Sequence, residues 1–262
     1  MDWIEVNGTA LRYDITGEGP GTLVLVHEMG GTLESWDQVV PALARGRRVL
    51  RYDTRGAGQS EKIRGAVTFD TMAADLIALL DALGIGKVAL AGCAVGGGIV
   101  LHAAARHPER VAALVALAPA TGVAAERRAE TIARAEAMER LGPAGVIEES
   151  FAASYPPEVR HDPEQYRRFR ARWLANDPES YGAIYRMLAG ARIEEELGGI
   201  ACPALLLAGI KDRLRPPALV EPLARAMPDA RFQALDTGHF MAVQTPGLVA
   251  GAIEEFLASL GL

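Results

Sequence analysis

The sequence predicts an α/β fold: a mostly parallel sheet flanked by helices and interrupted by one helical insertion. Three observations carry this. Short apolar, strand-like runs alternate with amphipathic helical stretches in both the first and last thirds of the chain. One of them, Val88-Ala89-Leu90, runs into Gly92-Cys93-Ala94-Val95-Gly96 and then into the helix-like stretch Ile99 to Ala105. Between about Gly122 and Leu197 the strand rhythm stops, and only helical sequence rich in Ala, Glu and Arg is found.

Taken in order, Trp3 to Val6 and Ala10 to Ile15 alternate about Asn7-Gly8, a pair suited to a tight hairpin turn. Thr22 to Val26 and Arg48 to Arg51 read as strands. Phe69 to Leu83 is the clearest helix, with Leu76, Leu79, Leu80 and Leu83 at helical spacing on one face. The insertion is punctuated by Pro143, Pro156-Pro157, Pro163 and Pro178. Ala204 to Gly209 then reads as a buried strand, and Arg231 to Leu235 as another. The expected division is a core of residues 1–121 and 197–262 with a helical cap over 122–196.

Composition limits the function classes. At 262 residues the chain has room for one large domain with an insertion. A net charge of −6 argues against nucleic acid, which calls for a basic patch. No apolar run approaches the ~20 residues that span a bilayer, and Met1-Asp2-Trp3-Ile4-Glu5 lacks the pattern of a signal peptide. Two cysteines, Cys93 and Cys202, give no disulfide framework, and the five histidines show no metal-ligand spacing. The expectation is a cytoplasmic chain, monomer or homodimer, acting on a small molecule without cofactor, metal, nucleic acid or membrane.

Chemistry is concentrated in the turn around Ala94. Strand, glycine-flanked turn and helix form the context in which G-x-S-x-G lifts a nucleophile into a cleft. Here the central residue is alanine. A glycine-rich turn used only for packing would look the same, but two downstream segments argue otherwise. Asp212 follows the strand Ala204 to Gly209, and His239 follows the strand Arg231 to Leu235 within Asp236-Thr237-Gly238-His239-Phe240. The order is nucleophile position, acid, histidine.

With these residues the chain resembles the α/β-hydrolases from end to end. Two further loops carry the resemblance: His27-Glu28-Met29-Gly30-Gly31, and Tyr52-Asp53-Thr54-Arg55-Gly56-Ala57-Gly58-Gln59-Ser60. Within that family the length, the turn and Asn176-Asp177-Pro178-Glu179-Ser180-Tyr181 are most similar to the 3-oxoadipate enol-lactonase-like esterases and lactonases. The resemblance implies an eight-stranded sheet and a triad of position 94, Asp212 and His239. It also implies an oxyanion hole from the amides of Val95 and Met29. His27 would hold backbone rather than move protons.

Glu28 is a departure, since most members of that family carry glycine there. A glutamate would either enter the cleft and disfavour anionic substrates or take a structural or solvent-facing role; the second is the expectation. Cys93 is not centred between the glycines, so it reads as a small core residue rather than a nucleophile. The insertion holds seven of the fifteen aromatic residues. Most are expected to form the cap's own core, with Trp173 and Tyr185 facing the substrate.

The implied parent activity is hydrolysis of a carboxylic ester or lactone through an acyl-enzyme. Hydrolysis of a carbon–carbon bond in a diketone-like substrate, or silent ligand binding, are the alternatives. Ala94 reads as a deliberate replacement of a parental serine, because a chain long freed from catalysis should also have lost Asp212 and His239. The other readings are a natural pseudoenzyme and direct use of His239 as a base. Without the hydroxyl no acyl-enzyme can form, so the chain as written should bind substrate and barely turn it over.

Overall fold

Asn7 and Gly8 both adopt left-handed backbone, with φ of 47° and 68°, as a two-residue type I′ hairpin turn requires. They join β1 (Asp2–Val6) to β2 (Thr9–Thr16), antiparallel with Val6 opposite Thr9. The computed structural model describes every residue from Met1 to Leu262. After the hairpin come β3 (Thr22–Val26), α1 (Val40–Leu43), β4 (Arg48–Tyr52) and α2 (Phe69–Ala82). β5 (Val88–Cys93), α3 (Val95–Arg106) and β6 (Val111–Leu117) complete the first half. Three long helices follow: α4 (Arg128–Ser154), α5 (Pro163–Leu174) and α6 (Pro178–Gly190). The sheet resumes with β7 (Ala204–Gly209), α7 (Pro217–Arg225) and β8 (Ala230–Leu235), and the chain ends in α8 (Met241–Gln244) and α9 (Pro246–Ser259).

The eight strands form one sheet in the order β1-β2-β4-β3-β5-β6-β7-β8. β2 is antiparallel to β1 and β4, and the remaining pairs are parallel. Helices cover both faces, so the inner strands are apolar on both sides. Along β3, Leu23 and Leu25 pack with Trp36, Leu43 and Ile253. Val24 and Val26 point the other way, toward Leu76, Leu80 and Ile99. Burying each such side chain stabilises the fold by about 1.5–3 kcal/mol. The α2 face is buried at Leu76, Leu79 and Leu80 as expected, with Leu83 only partly buried at the C-cap, one residue beyond the helix.

Strand order fixes where a site can form. From β3 the chain moves to β4 on one side, then returns past β3 to β5 on the other. Loops leaving the carboxyl ends of β3 and β5 therefore diverge and open a crevice, the usual ligand position in such sheets.

The loop after β4 is held by a buried carboxylate. Asp53, fully buried, pairs with Arg12 at 2.7 Å and accepts the amides of Leu33 and Gln59, each at 2.8 Å. Ser60 Oγ donates to the Asp53 carbonyl at 2.7 Å. Asp53→Ala would leave the buried Arg12 to Glu34 alone (2.7 Å). The expected cost is about 3 kcal/mol of unfolding free energy by urea titration; a loss below about 1 kcal/mol would contradict this arrangement.

The cap helices have a core of their own. Phe151, Tyr155, Phe169 and Trp173 are almost wholly buried and gather around Phe240 from the loop after β8, with Phe169 and Phe240 ring centroids 4.8 Å apart. α4 is broken at Gly142, whose non-helical backbone (φ 68°, ψ 174°) separates two helical segments, with Pro143 opening the second. His102 on α3 meets Asp70 Oδ1 at 2.9 Å and Glu196 Oε2 at 2.7 Å, tying α2 and the 3-10 segment Ile193–Gly199 to α3. No helix is long and apolar enough to cross a membrane.

Candidate active site

Ala94 stands between β5 and α3 with φ 50° and ψ −112°. Such backbone costs a residue with a Cβ about 1–3 kcal/mol and persists only when its surroundings fix it. Here the Ala94 amide donates to the Leu117 carbonyl at 2.8 Å, and its own carbonyl accepts from Gly98 (3.1 Å) and Ala120 (2.8 Å). The flanking glycines are needed for close approach. A Cβ on Gly92 would lie 2.2 Å from the Gly96 carbonyl oxygen, and one on Gly96 would lie 2.3 Å from that of Val26. Both obstacles are backbone. Gly96→Ala should therefore displace the turn or β3 and cost more than about 3 kcal/mol. The check is a melt, with Tm expected to fall by roughly 10 °C; an unchanged Tm would show that the turn has slack.

The loops after β7 and β8 bring Asp212 and His239 together. Asp212 Oδ2 lies 2.8 Å from His239 Nδ1, while Oδ1 accepts the amides of Leu214 (2.7 Å) and Arg215 (3.0 Å). Burial alone would push the Asp212 carboxyl up; the neighbouring His239 and the two amides outweigh it and hold the carboxyl below the usual aspartate range. A carboxylate at Nδ1 assigns the ring proton to that nitrogen. His239 Nε2 is left as the free acceptor, and the ring lines the same cavity as Ala94.

Two amides also converge there. Neither Val95 at the start of α3 nor Met29 in the loop after β3 gives its amide to an acceptor within the protein, and both residues line that cavity. The Met29 loop is held by hydrogen bonds on both sides. His27 Nδ1 meets the Glu28 carbonyl at 2.7 Å and Nε2 accepts the Thr54 amide at 3.0 Å, so the imidazole holds backbone at both nitrogens. From the cap, Asn176 Nδ2 donates to the Gly30 carbonyl at 3.0 Å. Glu28 does not turn to solvent, which corrects that part of the expectation. It is buried, and Ser35 Oγ donates to its Oε1 at 2.6 Å. The physical reason is that its side chain points beneath the loop, into the protein, where Ser35 is the donor within reach.

The cavity measures about 170 Å³. Trp173 and Tyr185 both line it, and so do Tyr181, Leu188, Phe240 and Arg215, which sequence reasoning did not single out. Phe240 directly follows His239, and Arg215 lies three residues beyond Asp212; proximity to the two motif residues was the available signal. Cys93, the last residue of β5, is fully buried, with its thiol 3.6 Å from the His239 carbonyl. Burial, helped by the charge of Glu28, pushes that thiol well above its usual range, which suits a packing role.

Residues 21–143 match the family model described as the alpha/beta hydrolase fold. A putative carbamate hydrolase of Stutzerimonas stutzeri is 31% identical over 87% of this chain and 89% of its own length. A stretch of 117 residues is 44% identical to the dihydrolipoyllysine-residue acetyltransferase component of the acetoin cleaving system of Pseudomonas putida, where the match spans 32% of that protein. Among solved structures, a thermophilic esterase from Thermogutta terrifontis superposes with a TM-score of 0.92 at 28% identity, over 99% of both chains. The enol-lactonase from Burkholderia xenovorans gives 0.91 at 28% identity, over 98% of this chain and 100% of that one. Sheet order, the strained turn and these full-length relatives agree: the chain belongs to the α/β-hydrolase family and is similar to its enol-lactonases.

Proposed function

We propose that this chain is the scaffold of a serine-type hydrolase of carboxylic esters or lactones, and that with alanine at position 94 it binds substrate but barely turns it over. The observation that carries this is the Asp212–His239 pair, its Nε2 unengaged, in one cavity with the turn residue Ala94 and the free amides of Val95 and Met29. Position 94, Asp212 and His239 take the triad roles, Val95 and Met29 the oxyanion hole, and residues 122–196 the cap. Trp173 and Tyr185 are the substrate-facing cap residues.

With a hydroxyl at position 94, His239 Nε2 would accept its proton as Oγ attacks the carbonyl carbon, while the Asp212 carboxylate stabilises the imidazolium. The two amides would bind the oxyanion, and the imidazolium would return the proton to the leaving oxygen. Water, deprotonated in the same way, would then release the acid. The likeness to an esterase and an enol-lactonase supports the choice of esters and lactones.

The test is a panel of aryl esters, small lactones and vinylogous diketones, measured for binding to the chain itself and for turnover by Ala94→Ser. Ester or lactone turnover by the serine form is the expected result. Turnover of diketones alone would move the reading to carbon–carbon hydrolysis. Binding with no turnover of any class would make this a ligand-binding protein.

A further inference from the structure

His239 is a base with no hydroxyl to activate. Its Nδ1 is held by Asp212 at 2.8 Å, Nε2 has no partner within the protein, and the turn residue Ala94 ends in a methyl group. In a serine hydrolase the hydroxyl of that residue occupies Nε2; with alanine there, a bound molecule can reach the nitrogen itself. Two nearby groups that could replace the hydroxyl are committed elsewhere. Cys93 is fully buried, and burial keeps its sulfur in the thiol form. Ser154, on the cavity wall, donates its hydroxyl to the Ser150 carbonyl at 2.7 Å.

The same cavity can hold negative charge on an oxygen. The amides of Val95 and Met29 are unengaged there. Ala120, Trp173, Leu188, Leu214 and Phe240 supply apolar wall, and hydrogen bonds to an oxyanion gain strength in such surroundings. A positioned base and fixed donors at a carbonyl oxygen are what removal of a proton next to a carbonyl requires. An ester's own geometry puts the base in the right place. In ester hydrolysis the imidazole returns a proton to the leaving oxygen, the atom bonded to the carbonyl carbon. In a ketone of the same shape that atom is carbon, and its C–H meets Nε2.

We propose that the chain as it stands catalyses enolisation, the removal and return of a proton on the carbon next to the carbonyl of a small neutral ketone. The C–H bond breaks and its electron pair forms the carbon–carbon double bond of the enolate. The carbonyl pair moves onto the oxygen, which the Val95 and Met29 amides hold. The proton goes to His239 Nε2, and Asp212 stabilises the imidazolium. Collapse of the enolate takes a proton back from that nitrogen, so nothing is consumed. The base and the two amides are those of the hydrolase reading above, on which the proposal rests to that extent; it needs no nucleophile.

Phenylacetone, in which a methylene group replaces the ester oxygen of phenyl acetate, is the probe. Proton NMR in D₂O follows its methylene signal. The chain is expected to exchange that position at least about 10²-fold faster than an equal concentration of imidazole. It should exchange one of the two methylene hydrogens only, leaving a chiral monodeuterated ketone, because the base meets a bound ketone from one side. His239→Gln should remove the exchange, and Asp212→Asn, which turns the ring proton onto Nε2, should slow it by about tenfold or more. Ala94→Ser should slow it severalfold, since the new hydroxyl donates to Nε2, while phenyl acetate hydrolysis rises. The one-sidedness is read on the chain as it stands, so it decides the matter even where a variant fails to fold. Exchange no faster than with imidazole, equal loss of both hydrogens, or undiminished exchange in folded His239→Gln or Ala94→Ser overturns the proposal. If Ala94→Ser hydrolyses phenyl acetate and the chain as it stands leaves phenylacetone unexchanged, the hydrolase reading stands and enolisation falls. One-sided exchange without hydrolysis by the serine form removes the hydrolase reading and keeps enolisation.

Discussion

Ala94→Ser should raise turnover of a fitting ester by about 10⁵- to 10⁶-fold over the chain as it stands, and adding His239→Ala should abolish the gain. The size follows from what alanine lacks. On the proposed reading the amides of Val95 and Met29, free in the cavity, would already supply the residual that such sites retain over water, about 10³–10⁴-fold. The missing step is attack by a hydroxyl at position 94, and loss of a triad nucleophile costs about 10⁶ in kcat. The backbone there is already held at φ 50°, so the change adds one oxygen to a turn shaped for it. Substrate affinity should move less than threefold, because Ala94 forms only part of a wall. Steady-state kinetics of the three forms on one p-nitrophenyl ester checks all of this; a gain below tenfold in a folded Ala94→Ser protein would contradict the assignment.

Asp212→Asn in the Ala94→Ser background should lower kcat by about 10⁴-fold with little change in KM. Oδ1 of Asp212 is committed to the amides of Leu214 and Arg215. An asparagine would keep its oxygen there and turn its NH₂ toward His239 Nδ1. That nitrogen would become the acceptor and the ring proton would move to Nε2, where it can no longer take a proton from position 94. The same substitution alters acid stability. A carboxyl held below its usual value stabilises the fold fully above the ordinary aspartate value of about 4. That contribution is lost as pH falls through the lowered folded value. Asp212→Asn should therefore flatten the part of the acid-unfolding curve below about pH 4. Unchanged kcat, or an unchanged acid limb, would contradict the role given to this carboxylate.

Much of the fold was readable because burial on both sheet faces leaves little choice of residue. β3 and β7 are wholly buried, and their apolar runs announce them. The turn at Ala94 was readable for a steric reason, since only glycine fits opposite the carbonyls of Gly96 and Val26. Asp212 and His239 stood out by their places after the buried strand β7 and the edge strand β8. The cap was harder. Trp173, Tyr181 and Tyr185 all reach the cavity, while Phe151, Tyr155 and Phe169 pack on one another; which way each ring points depends on how α4, α5 and α6 are set, and helical spacing carries no record of that. Glu28 could be placed only by its partner Ser35, seven residues away, since a carboxylate can be buried wherever a donor reaches it. Arg215 was hidden because nothing local separates an arginine beside a cavity from one on the surface.

The most direct measurement is the intact mass of Ala94→Ser after brief exposure to an aryl phosphonate, followed by peptide mapping of the adduct. One phosphonyl group on residue 94 is expected, none on the chain as it stands, and labelling slowed by several orders of magnitude when His239→Ala is added. A label on Cys93, or none on a folded serine form, would contradict the assignment of position 94 as the nucleophile site.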